Sequence, residues 1–164
     1  MKIALSTDHA GYEELKHLKQ FLENHGHECI DYGPESLDPD DDYPDYIAQA
    51  AHAVASGDCE CGIIFGGSGQ GEAMAANRVK GVRCAVFYSP AVATKAVDVG
   101  GAYSDDPYEI LKLSRLHNHA NMLSLSGRFL SEEQIHRAAE VWLATPYSDE
   151  VRHDRRVKKL DEIS

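Results

Sequence analysis

The sequence predicts an α/β fold: one doubly wound domain on about five parallel strands, with helices on both faces of the sheet. Three observations carry that expectation. Short apolar runs alternate with helical patterns along the chain, the order that a parallel sheet covered on both faces requires. A glycine-rich turn, Gly66-Gly67-Ser68-Gly69-Gln70-Gly71-Glu72, stands where an apolar run gives way to an Ala-rich segment. No repeat or linker interrupts the 164 residues, a length that suits a single domain with a sizeable core.

The elements follow in order. Lys2–Ser6 reads as the first strand, and Leu15, Leu18 and Leu22 then share one face of a helix that Gly26 can terminate. Glu28–Asp31 is a short second strand, followed by a loop with the acidic run Asp38-Pro39-Asp40-Asp41-Asp42. A helix carries Ile47, Ala50, Ala51 and Val54 on one side. Cys61–Phe65 is the third strand, the glycine turn follows, and the Ala-rich segment after it favours helix. Arg83–Phe87 is the fourth strand. Asp106-Pro107-Tyr108-Glu109 reads as a helix start, with a capping acid and Pro at the first helical position. Met122–Leu125 is the fifth strand. Ser131-Glu132-Glu133-Gln134 is a capping box that opens a helix with Ile135, Ala138, Ala139 and Trp142 inward. Thr145-Pro146 ends it, and a last charged helix occupies 148–163. The whole is a Rossmann-like three-layer arrangement, in which ligands gather at the carboxyl ends of the strands.

Composition narrows the function. With 43% hydrophobic and 26% charged residues the chain reads as a soluble globular protein. A formal net charge of −11 argues against a nucleic-acid partner, because no basic field attracts phosphates. No stretch approaches membrane-spanning length, and the start Met1-Lys2-Ile3-Ala4-Leu5-Ser6 runs into polar sequence, so no membrane association and no signal peptide are expected. Cys29, Cys59, Cys61 and Cys84 lack metal-type spacing, and Cys59-x-Cys61 misses the two-residue gap of a redox or zinc motif. Reduced, largely buried thiols in a cytoplasmic protein are the expectation.

The chemistry centres on the glycine turn. A strand–turn–helix junction exposes backbone N–H groups, and the helix N-terminus adds partial positive charge, so the turn suits an anion. A phosphate loop would need Lys and Ser or Thr after Gly71, where this chain has Glu72-Ala73. The dinucleotide fingerprint fails as well, since Glu72 stands at its third glycine. A carboxylate beside an oxyanion cradle suits proton abstraction next to a carbonyl, although an acid at a helix start also serves as an ordinary cap. Asp8 and His9 at the end of the first strand can share a proton network or meet a ligand, or Asp8 can simply cap the next helix. His117-Asn118-His119 closes a helix, where a histidine also complements the dipole. Arg152 and Arg156, four apart, share a helical face that can clamp a phosphate or remain a solvated charged surface. Arg128, after the fifth strand, can join the same crevice.

Taken together, these motifs resemble the type B ribose-5-phosphate isomerase family, which includes galactose-6-phosphate isomerase subunits. The matching stretches are Thr-Asp-His-Ala-Gly at 7–11, Asp-Tyr-Pro at 42–44, the glycine turn with Glu at 66–72, Ala-Ala-Asn-Arg at 75–78, Leu-His-Asn at 116–118 and Arg-His-x-x-Arg at 152–156. The resemblance implies an isomerase working without metal or other cofactor through a cis-enediolate, on a small sugar phosphate. It also implies a homodimer or dimer of dimers with shared active sites, to which the C-terminal helix contributes. By the same resemblance Glu72 is the base, Asp8 and His117 help open the furanose ring, and Asn118 holds the substrate. Gly67, Ser68, Gly69, Gln70 and Gly71 form the anion hole, Tyr43 lines the sugar pocket, and His9, Arg128, Arg152, His153 and Arg156 meet phosphate and hydroxyls.

Two departures matter. One family branch places a cysteine base at the end of the third strand, where this chain has Gly66; it therefore fits the branch with glutamate at position 72. Residues 95–108, including Val99-Gly100-Gly101, are longer than similar proteins carry there and could form a lid or reshape the pocket. A six-carbon sugar phosphate, or a non-catalytic phosphosugar-binding module, therefore remains an alternative to ribose 5-phosphate.

Overall fold

The computed structural model describes residues 1–163. Five parallel strands, β1 (Lys2–Ser6), β2 (Glu28–Asp31), β3 (Cys61–Gly66), β4 (Cys84–Phe87) and β5 (Met122–Ser126), form one sheet in the order β2-β1-β3-β5-β4. From β1 the chain first moves outward to β2 and then crosses to β3 on the other side. That reversal puts a topological switch point between the carboxyl ends of β1 and β3.

Strand alternation divides the core into two layers. Ile3, Leu5, Ile63, Phe65, Leu123 and Leu125 face α1 (Tyr12–Asn24), α4 (Glu109–Asn118) and α5 (Glu132–Ala144). Ala4, Ile64 and Met122 face α2 (Tyr43–Ser56) and α3 (Gln70–Ala76). Leu15, Leu18 and Leu22 of α1 are buried as the spacing required, and so are Ile135, Ala138, Ala139 and Trp142 of α5. The Ser131 capping box is present in full, with each partner satisfying the other's backbone N–H. Gly26, at φ 82°, follows the end of α1 in the left-handed conformation that lets Gly26 and His27 N–H groups bond back to Glu23 and Leu22 carbonyls.

Beyond one-residue extensions of β3 to Gly66 and β5 to Ser126, and an end of the last helix at Asp161 rather than 163, three elements start later than expected. The fourth strand starts at Cys84, because the Arg83 N–H is taken by Asn121 Oδ1 (2.7 Å) and its guanidinium pairs with Asp161 (2.9 Å). Helix α4 starts at Glu109 rather than directly after Asp106: Asp106 does accept from the Tyr108 N–H (2.8 Å), but Lys112 also holds its carboxylate (2.7 Å), and the turn over 107–108 is not α-helical. The last helix, α6 (Val151–Asp161), begins three residues later than 148, because the Ser148 N–H and hydroxyl both bond to Leu116 O. Among the described residues, no helix is long and apolar enough to cross a membrane.

Candidate active site

The carboxyl ends of β1, β3 and β5 bring the first set of residues together. Glu72 is the third residue of α3 and only 5% exposed. Its carboxylate fills the space above Gly66, so that any side chain at 66 would collide with it. The absence of a side chain at 66 and the acid at 72 are thus one packing solution. Burial raises the Glu72 pKa above the ordinary value, a backbone N–H opposes the rise, and the nearby Asp8 carboxylate adds to it. Burial thus makes Glu72 a stronger base than an exposed acid.

The glycine turn is held from behind. Ser126 Oγ donates to Gly67 O (2.7 Å), Ser124 Oγ to Gly69 O (2.7 Å) and the Gly127 N–H to Gly66 O (2.9 Å). These bonds commit the carbonyls of Gly66, Gly67 and Gly69 to β5 and the residue after it. Gly69, at φ 77°, has no room for a side chain, since a Cβ there would come within 3.1 Å of Leu125 O and Ser124 Oγ. Ser68 Oγ accepts from the Gln70 N–H (3.3 Å). Arg128 lays its guanidinium against Gly67, and Tyr43 its phenol against Gly71, so both reach the mouth of the loop.

Asp8 is buried and caps the short 3-10 turn His9–Gly11 through the Ala10 N–H (2.9 Å). His9 Nδ1 lies 2.7 Å from Asp41 Oδ1, which also accepts the His9 backbone N–H (3.2 Å). This hydrogen bond is the main cause that raises the His9 pKa, with desolvation and Arg128 opposing and Asp8 helping. Asp8, His9 and Asp41 also place one potential metal-ligand atom each within 4.8 Å of one another. His9 Nδ1 is already committed to Asp41, which favours a charge pair as the reading of the trio.

A second set gathers elsewhere. His117, near the end of α4, and His153, on α6, lie with ring centroids 4.2 Å apart. Ser148 Oγ donates to Leu116 O (2.6 Å) and so accepts from His153 Nδ1 (2.9 Å). Burial, His153 and Arg152 lower the His117 pKa, against Glu150 and Asp98, so His117 favours the neutral imidazole. His117, Arg152 and His153 line a cleft of about 690 Å³ that contains neither Asp8, Glu72 nor any glycine-turn residue. Arg156 is exposed and reaches back to Arg152 O (3.4 Å), outside that cleft. Asn118 is exposed and opens on a different cavity, with Asn77, Arg83 and Asp161. His119 sits in the left-handed conformation at the end of α4 and stacks on Tyr147 (4.3 Å).

The residues at the ends of β1, β3 and β5 thus gather in one place, as expected, while His117, Arg152 and His153 form a second cluster, and Asn118 and Arg156 lie outside both. Sequence reasoning passed over Asp41, Ser124, Ser126, Ser148 and Asp98. Only the serine pair left a signal, two hydroxyls on one face of an otherwise apolar strand. The thiols are spectators: burial pushes Cys61 up to about 12 and Cys29 to about 11, and all four cysteines are free.

Comparison with known proteins gives a consistent result. The Ribose/Galactose Isomerase family profile matches residues 3–103 and 91–160. A ribose-5-phosphate isomerase B from Mycolicibacterium paratuberculosis is 37% identical over 163 residues, covering 99% of this chain and 91% of that protein. The structure of Clostridium thermocellum ribose-5-phosphate isomerase B superposes with a TM-score of 0.84 at 34% identity, covering 99% of this chain and 97% of that one. That of Mycoplasma genitalium ribose-5-phosphate isomerase B with bound ribulose 5-phosphate gives 0.83 at 30% identity, covering 98% and 94%.

Proposed function

The chain belongs to the ribose/galactose isomerase family, and on that premise we infer that it interconverts ribose 5-phosphate and ribulose 5-phosphate. The observation that carries the reading is the Glu72 carboxylate, buried above Gly66 at the base of a loop whose Gly66, Gly67 and Gly69 carbonyls are tied away. In the ring-opened aldose, Glu72 takes the proton from C2. The electrons of that C–H bond form the C1–C2 double bond of a cis-enediolate, and its oxyanion meets the N–H groups of residues 67–71. Return of the proton to C1, with the O2 proton moving to O1, yields the ketose.

Asp8 and His117 assist ring opening, and Ser68 belongs to the cradle. Tyr43 and Asn118 hold the sugar, while His9, Arg128, Arg152, His153 and Arg156 meet its phosphate and hydroxyls. No metal or organic cofactor enters these steps. The cleft lined by His117 holds neither Glu72 nor any glycine-turn residue, which supports a working unit that is a homodimer or dimer of dimers, each site using Glu72 of one copy and His117 of the other. The 164 residues act as one isomerase domain, the segment 148–163 contributes to the subunit contact, and the enzyme works in the cytoplasm. Following ribulose 5-phosphate formation from ribose 5-phosphate tests the reading. Turnover supports it, and failure to convert any aldose phosphate rejects it in favour of a binding module.

A further inference from the structure

The segment between β4 and α4 folds into a turn that neither element requires. The Val97 N–H donates to Ala102 O (2.8 Å), the Ala102 N–H to Asp98 Oδ1 (2.9 Å), and Gly101 takes φ 86°, so residues 97–102 close on themselves. The stem is fixed to α4. Ser104 Oγ donates to Glu109 Oε2 (2.8 Å), and Asp106 pairs with Lys112 (2.7 Å). The turn is a wall of the second half-site: Val97, Asp98, Val99, Gly100 and Tyr103 line the same cleft as His117, Arg152 and His153. The two stretches that match the family profile, 3–103 and 91–160, meet on residues 91–103, the segment that carries this wall. Val99 and Tyr103 are 81% and 79% exposed, large side chains at the rim of that cleft.

We propose that the 97–102 turn is a length gauge, closing the phosphate end of the composite sugar pocket and restricting the enzyme to five-carbon aldose phosphates. The inference rests on the proposed isomerase reading, in which Arg152 and His153 fix the phosphate and Glu72 of the other copy fixes C1 and C2. With both ends of the substrate held, one added carbon must push the phosphate into the wall. A turn closed by its own hydrogen bonds resists that displacement, and a steric obstacle rejects a longer substrate more sharply than a pocket selects by attraction.

The test replaces Asp98-Val99-Gly100-Gly101 by Asn-Gly in the full chain, a two-residue turn suited to joining Val97 and Ala102. The ratio of kcat/KM for ribose 5-phosphate over allose 6-phosphate, which keeps the ribose hydroxyl pattern with one more carbon, is measured beside the wild type. The wild type should favour ribose 5-phosphate by at least about a hundredfold, and the short turn should reduce that ratio at least about tenfold. A double variant, Val99→Ala with Tyr103→Ala, keeps every backbone bond of the turn and should lower the ratio about threefold without changing Tm. Ratios unchanged in the folded variants, or a wild type that takes both sugars equally, overturn the gauge. A wild type that isomerises neither sugar instead rejects the isomerase reading on which the gauge depends.

Discussion

The glycine-turn half-site and the His117 half-site are built on different principles. The first is made of strand ends and backbone: Glu72 is 5% exposed, and buried serines fix the loop. The second is made of helix ends and loop. His117, Arg152 and His153 line an open cleft, walled by a turn whose apolar tip faces solvent. The difference teaches a division of labour. On the proposed reading, the part that handles the proton needs low dielectric and fixed dipoles, which the carboxyl ends of central strands provide within one chain. On the same reading, the part that recognises charge and length needs reach, which helix ends and a loop at an open cleft provide.

The sharpest way to break this contrast is to alter the base. Glu72→Gln should lower kcat by at least about a hundredfold while ribose 5-phosphate still binds, because general-base catalysis alone is worth that much. Near-normal turnover would remove the buried carboxylate from the chemistry. On the recognition side, Arg152→Ala should cost about 1.5–3 kcal/mol in kcat/KM, roughly ten- to a hundredfold and mostly through KM, as loss of a charge-assisted phosphate bond does. If kcat alone fell, Arg152 would belong with the proton-handling half instead.

A smaller effect separates support from chemistry. Ser126→Ala removes the bond to Gly67 O, leaving that carbonyl only the Arg128 N–H at 3.2 Å. It should destabilise the protein by about 1–3 kcal/mol by thermal denaturation and lower kcat more than it raises KM. The smallest effect is a pH dependence. Asp41 raises the His9 pKa above 6.5, so the stability of that pair is fully present below 6.5 and declines as pH rises through the folded value. Asp41→Asn should abolish this decline, and substrate affinity should weaken at lower pH than in the wild type. Identical pH profiles for KM would show that His9 stays out of the phosphate contact.

The comparison also explains what could be read from the chain. Strand and helix alternation, the Ser131 capping box and the inward faces of α1 and α5 are local patterns with one packing solution, and all were legible. So was the glycine turn, because its backbone demands are local too. The start of α4 was misjudged because Lys112, six residues on, competes for the Asp106 carboxylate. Asp41 was hidden inside an acidic run that looks solvated, and only folding brings it 2.7 Å from His9. Asn118 looked inseparable from its neighbour His117, yet at the end of a helix adjacent side chains open on different cavities.

The central claim is that each working site joins the two half-sites from different copies. It is tested by unfolding together and refolding equal amounts of Glu72→Gln and His117→Ala subunits, each inactive alone. About half the dimers are then mixed, and each mixed dimer has one site with both Glu72 and His117 intact. The account predicts recovery of about a quarter of wild-type activity. Recovery of none, with mixed dimers demonstrated by mass, would place both residues in a site of a single chain and contradict it.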